Sequence, residues 1–160
     1  MRLVLVLSLL LSGLAGAQTV PFDSERWSFD GAEHRFEEHL GRPALFLRNA
    51  KAVLEDIDMA TGALEFDIAF APARGFSGAM FHWRDAANFE QFYLRPHQSG
   101  KPDASQYQPV IAGNAAWQIY YGERWAAPLM HRFYAWQHVR IEFLEDPAGL
   151  FFQFPIRGRR

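Results

Sequence analysis

The chain has 160 residues, with 18 acidic against 16 basic side chains and no cysteine. A formal charge of −2, with no clustering of basic residues before Arg157, Arg159 and Arg160, removes the electrostatic case for nucleic acid as a partner. Without thiols there is no disulfide, no cysteine-based metal site and no acylated cysteine anchor, so stability has to come from packing.

The first seventeen residues read as a secretory signal peptide. Arg2 supplies the positive start, residues 3–11 an apolar run broken only by Ser8, and Ala15-Gly16-Ala17 a small-x-small cleavage site. The run is shorter than the roughly 20 residues a membrane-spanning helix needs. The mature chain is therefore expected to begin at Gln18, in the periplasm or outside the cell. Residues 18–154 have the size of one domain, and residues 155–160 form a basic tail.

Residues 21–31 read as an entry strand with Trp27 in the core. Residues 36–41 are ambiguous, and Gly41-Arg42-Pro43 reads as a breaker. Short strands are expected at 44–49, where Leu45 and Leu47 share a face, and at 52–56, with a turn at 58–62. The cleanest strand is 63–71: Leu64, Phe66, Ile68 and Phe70 form an apolar face opposite Ala63, Glu65, Asp67 and Ala69. After a loop at 75–78, strand 79–84 sets Ala79, Phe81 and Trp83 against Met80, His82 and Arg84, with Trp83 read as core.

The segment 88–110, NFEQFYLRPHQSGKPDASQYQPV, is where binding chemistry collects. Its opening strand puts Phe92 and Leu94 on one face and Phe89, Gln91, Tyr93 and Arg95 on the other. Pro96 ends that strand, 99–103 reads as a surface loop, and a short run at 106–108 follows. Tyr93, Arg95, His97, Asp103, Gln106 and Tyr107 are the candidate ligand-binding residues, with Gln98 beside them. Aromatic faces, a planar guanidinium and amides suit a polyhydroxylated ligand. Binding by stacking would require Tyr93 to keep a ring face accessible. Structural roles are the competing reading, with Arg95 pairing the neighbourhood of Glu90 or Asp103.

A turn at 112–114 leads to an expected strand at 116–122, with Trp117 in the core and Gln118 and Tyr120 on the polar side. Residues 122–133 carry loop signals. Residues 136–144 alternate again, with Val139, Ile141 and Phe143 inward, and 150–154 form a last apolar run. Eight or nine short strands with no amphipathic helix argue for an all-β, two-sheet antiparallel β-sandwich. Phe66, Ile68, Phe92, Leu94, Ile141 and Phe143 are its expected core.

Glu65 and Asp67, two apart on one strand face, are the catalytic candidates, since glycoside hydrolysis uses paired carboxylates. Solvated strand carboxylates, or a cross-strand salt bridge to an arginine, are the structural alternatives. The six histidines form no metal motif, no serine sits in a nucleophile elbow, and no glycine loop is built for phosphate. No motif calls for a cofactor. A structural calcium held by loop carboxylates would fall to Asp85 and Asn88.

FYLRPHQSGKPDASQYQPV followed by WQIYYG resembles exported bacterial proteins of the concanavalin A-like (LamG-type) jelly-roll fold, near the 3-keto-disaccharide hydrolase-like domains. The resemblance is strong over 63–121 and looser over 27–63 and from 136 onward. It implies a jelly roll and a carbohydrate or glycan-like ligand. It also carries two alternatives: a glycoside hydrolase using Glu65 and Asp67, and a structural module of the cell envelope. The Glu65-x-Asp67 pair resembles the start of the Glu-x-Asp-x-(x)-Glu strand of jelly-roll endoglucanases. Ala69 and Phe70 stand where the second glutamate would follow, which leaves the acid/base place vacant. Relatives continue into further strands, so the sandwich is expected to lack C-terminal strands, with Phe151, Phe152 and Phe154 poorly covered and the tail disordered.

Overall fold

The structure, a computed structural model, describes residues 17–54, 56–59, 61–144 and 152–153, the last two by their backbone. The expected signal peptide, Ala17 apart, and the basic tail lie outside the described residues, as do Phe151 and Phe154. The chain divides into two compact units, Met1–Ile57 and Asp58–Arg160.

In the first unit, strands β1 (Trp27–His39) and β2 (Arg42–Leu54) form one long antiparallel hairpin, paired from Trp27↔Leu54 to His39↔Arg42. Leu40 and Gly41, at φ 51° and 72°, make the two-residue reversal. The break expected at Gly41-Arg42-Pro43 is thus confined to the turn. Pro43 sits inside β2, which tolerates it because each strand of a two-stranded ribbon has one unpaired edge. The two short strands expected at 44–49 and 52–56 are likewise one. Gly31 (φ 123°) stands near Asn49 (φ 47°), and there the ribbon inverts its side-chain parity. Phe29 therefore stacks on His34 at 4.4 Å and meets Phe36 at 5.9 Å. A Cβ on Gly31 would overlap the Asn49 carbonyl. Trp27, expected in the core, is half-buried at the hairpin's base, its Nε1–H donating to Pro21 O at 2.9 Å.

The second unit contains β3 (Gly62–Ile68), β4 (Ser77–Asp85), β5 (Asn88–Leu94), a single 3-10 turn (Pro96–Gln98), β6 (Ser105–Ile111), β7 (Asn114–Ala115), β8 (Ala126–Ala127), β9 (Gln137–Phe143) and β10 (Phe152–Gln153). One sheet runs β4-β5-β6-β7, with β8 also on β6, and the other runs β10-β9-β3; every pairing is antiparallel. The two sheets share a core in which Phe81, Phe92, Leu94 and Tyr107 meet Val139, Ile141 and Phe143. Phe81 and Phe143 cross between sheets edge to face, 5.0 Å apart. The expected all-β antiparallel architecture is present, with no α-helix among the described residues. Phe92, Leu94, Ile141 and Phe143 are buried as expected, whereas Phe66 and Ile68 are half-buried against the core. Their strand, β3, is an edge, so one flank of each side chain lacks a neighbour.

Two strand expectations need correction. In β4 the register shifts between Phe81 and Asp85, with His82 at φ 48°, so parity inverts after Phe81. Trp83 leaves the core side, is 38% exposed, and stacks on Phe89 at 5.0 Å on the outer face. His82 turns instead to Glu90, its Nδ1–H donating to Oε1 at 3.0 Å. The strand expected at 116–122 stops at Ala115. Amides of Ile119 and Tyr120 both return to Ala116 O, at 2.9 and 3.1 Å, so the chain turns where alternation suggested extension. Trp117 is consequently exposed, and Tyr120, expected on the polar face, packs on Tyr107 and Trp125.

Gly78 shows how tightly β4 lies on β5. A Cβ there would overlap Phe92 O and come within 2.8 Å of Tyr93 Cα, whereas one on Gly75 would meet nothing within 4 Å. Gly78→Ala should cost about 1–3 kcal/mol, the range for overpacking, and Gly75→Ala well under that, measured by chemical denaturation. Equal stabilities for the two variants would contradict this close approach.

Candidate functional site

The outer face of β5 and β6 carries the site, because parity and register together decide which side chains emerge there. Gln91 stands opposite Gln108 and Tyr93 opposite Gln106, while the intervening Phe92↔Tyr107 pair points into the core. Above this floor is a cavity of about 510 Å³. Gln91, Tyr93, Arg95 and Gln108 line its base. Asp103, His97 and Gln98 come from the loop between the two strands, Arg74 and Phe76 from the approach to β4, and Trp117 from the turn after β7.

The loop is tightly held. Arg95 N–H donates to Ala104 O at 2.8 Å and closes its mouth, while Gln98 N–H returns to Arg95 O at 2.9 Å. Gly100 N–H donates to Leu129 O at 2.8 Å, and His131 N–H to Ser99 Oγ at 2.9 Å, so residues 129–131 brace the loop from outside. The His131 ring adds a bond from Nε2 to Ala104 O at 3.2 Å and packs edge-on against Phe70.

Beneath the cavity lies a buried polar network. Arg95 Nη1 donates to Asp103 Oδ2 at 2.5 Å, and Nη2 to the Tyr93 hydroxyl at 3.2 Å and to Gln106 Oε1. The Tyr93 hydroxyl donates to the same Gln106 oxygen at 3.0 Å. Gln106 Nε2 then donates to Trp117 O at 3.0 Å and Tyr120 O at 2.5 Å, fixing the turn that carries Trp117. Gln106 is fully buried and supports the floor from below.

Of the sequence candidates, Tyr93, Arg95, His97 and Asp103 line the cavity, and Gln106 holds Tyr93 and Arg95 in place. Tyr93 is not the open stacking surface expected of it. It is 7% exposed, with Phe76 edge-on at 5.6 Å, and burial pushes its hydroxyl above the usual tyrosine range despite Arg95. The exposed aromatic surface belongs instead to Phe76 (55%) and Trp117 (47%). Arg95 pairs with Asp103, the structural alternative weighed for it. Tyr107 does not belong to the site. It alternates with Gln106 and Gln108, so it faces the core, where its hydroxyl donates to Glu90 Oε2 at 2.9 Å. Burial first, and Glu90 second, raise its pKa.

Glu65 and Asp67 emerge from the outer face of the other sheet and do not line the cavity. Register sets them opposite Arg140 and His138. Glu65 forms an ion pair with Arg140, and His138 Nδ1–H donates to Asp67 Oδ1 at 2.9 Å, so both carboxylates are in cross-strand contacts. Asp85, the calcium candidate, accepts from Ala87 N–H at 2.7 Å and from Asn88 Nδ2 at 3.0 Å, which closes the β4–β5 turn. Among the described residues no group of three or more His, Asp or Glu is placed to hold a metal ion.

Sequence reasoning left Arg74, Phe76, Gln91, Gln108 and Trp117 off the site. Gln91 was recoverable, since it shares parity with Tyr93, and pairing the two runs would have added Gln108. Arg74 and Phe76 lie on an irregular approach that carries no periodic signal.

Burial is the first cause that lowers the pKa of both His97 and His131. For His97 the charges of Arg74 and Arg95 add to it, and its Nδ1 accepts from Gly75 N–H at 3.4 Å. A histidine whose folded pKa is depressed contributes stability that is complete above the ordinary value of about 6.5 and is lost as pH falls through the folded value. Melting temperature should therefore fall on acidification below about pH 6.5, and fall less in His131→Gln, whose amide can still donate to Ala104 O. Parallel pH profiles for the two proteins would contradict the burial of a neutral His131.

Comparison of the chain with protein-family models, with curated proteins and with solved structures finds no match in any of the three.

Proposed function

We propose that the chain is an exported, lectin-like carbohydrate-binding protein of the concanavalin A-like jelly-roll kind, which takes a glycan in the cavity over β5 and β6. Gln108 carries the reading. It is 5% exposed and lines the cavity, yet its Oε1 has no hydrogen-bond donor among the described residues. Leaving a buried amide oxygen unpaired costs about 1–3 kcal/mol, so an unpaired amide on a cavity-lining residue suits a ligand that brings a donor. Hydroxyl groups are donors of that kind. Gln91 stands beside Gln108, and the exposed rings of Phe76 and Trp117 flank the opening. Polar floor and aromatic rim together match a sugar's hydroxyl edge and its apolar C–H face.

The hydrolase reading draws no comparable support. Glu65 and Asp67 lie on the other sheet and already have side-chain partners there, Arg140 and His138. Export rests on the character of residues 1–17.

A glycan array on the mature protein, followed by calorimetry on the best binder, tests the proposal. Trp117→Ala should weaken binding about tenfold, or about 1.4 kcal/mol. Gln108→Leu should weaken it by about 0.5–1.5 kcal/mol while leaving stability unchanged or raised, because an apolar group replaces an unpaired one. Failure of the array to find any glycan, or a Gln108→Leu protein that binds normally, would overturn the reading.

A further inference from the structure

We infer that the glycan held in this cavity is acidic, with a sugar carboxylate seated against Arg74 at the rim. The inference rests on the carbohydrate reading above and narrows the class of ligand.

The argument is a charge balance. Arg95 and Asp103 neutralise each other beneath the floor, Nη1 lying 2.5 Å from Oδ2. Arg74 is exposed, lines the cavity, and pairs with no carboxylate among the described residues; the Phe76 ring centre lies 5.9 Å from its guanidinium carbon. Arg74, Arg95 and Lys101 all lie close enough to act electrostatically on His97, and Asp103 is the one acid recorded as opposing them there. Among the described residues, the cavity wall near His97 therefore carries an excess of one to two positive charges.

His97 adds a donor. Its Nδ1 accepts from Gly75 N–H, so in the neutral ring the proton sits on Nε2. An arginine fork and an imidazole N–H on one side of a cavity suit a planar anion able to accept from both. A small excess of positive charge matches a monoanion better than a doubly charged phosphate. On a sugar, the planar monoanion is the carboxylate of a uronic acid.

The test uses the mature protein and three pairs of disaccharides, of gluco, galacto and manno configuration. Each pair consists of a uronic acid and its carboxyl-reduced neutral counterpart. Calorimetric titration should show the acidic member of at least one pair bound roughly tenfold more tightly than its neutral twin, the order expected of one charge-assisted contact. High salt should narrow that preference. Arg74→Gln should bring the ratio close to one, and Arg74→Lys should keep part of it. Equal binding of acid and neutral members in every pair, or a ratio unchanged in Arg74→Gln, would overturn the acidic ligand and leave the carbohydrate reading standing. No binding to any of the six sugars would overturn the acidic ligand where the array finds another glycan, and both readings where it finds none.

Discussion

The buried Arg95 guanidinium is the constraint on which the site depends. It directly follows β5 and is 8% exposed, so its charge has to be met by protein groups. Asp103 supplies the countercharge from the far end of the loop, while Tyr93 and Gln106 supply oxygen acceptors from the paired strands. Removing one partner of a buried ion pair typically costs about 3–5 kcal/mol, mostly by stranding the other charge. Geometry follows from that requirement. The loop cannot drift without unpairing Asp103, and Gln106 extends the same network to the turn that bears Trp117.

That arrangement separates two roles that look alike in sequence. Tyr93, Arg95, Asp103 and Gln106 are chemically suited to a sugar, yet much of their hydrogen-bonding capacity is spent on one another. What remains for a ligand sits one step further out: Gln91 and Gln108 on the floor, Arg74 and His97 on one wall, Phe76 and Trp117 at the rim. A polar layer whose members are largely bonded to one another, beneath side chains that are not, is how a sheet surface holds a site in fixed geometry.

Strand parity made much of this legible. Alternation placed Phe92 and Leu94 inward, Gln91 and Tyr93 outward, and Glu65 with Asp67 on a common outer face, all as observed. Parity failed where the backbone leaves the extended region. At His82 a left-handed residue inverts β4 and sends Trp83 outward; at Gly31 and Asn49 the same happens in the hairpin. Asn and His tolerate that conformation better than most residues, but both Asn49 and His82 sit inside runs that read as extended strand. Trp117 escaped for a related reason: Trp117, Ile119 and Tyr121 alternate like a strand, but the chain there turns on Ala116 O. Tyr107 was lost to proximity in sequence, since a neighbour one residue away on a strand is on the opposite face.

Two-dimensional ¹H–¹⁵N spectra of the mature protein, titrated with a bound glycan, test the central claim most directly. The account predicts shifts concentrated at the Trp117 indole and the Gln91 and Gln108 side-chain amides, with Asp67, His138 and Arg140 undisturbed. Shifts gathered on the β3–β9 face, with Gln108 and Trp117 silent, would contradict it and return the site to Glu65 and Asp67.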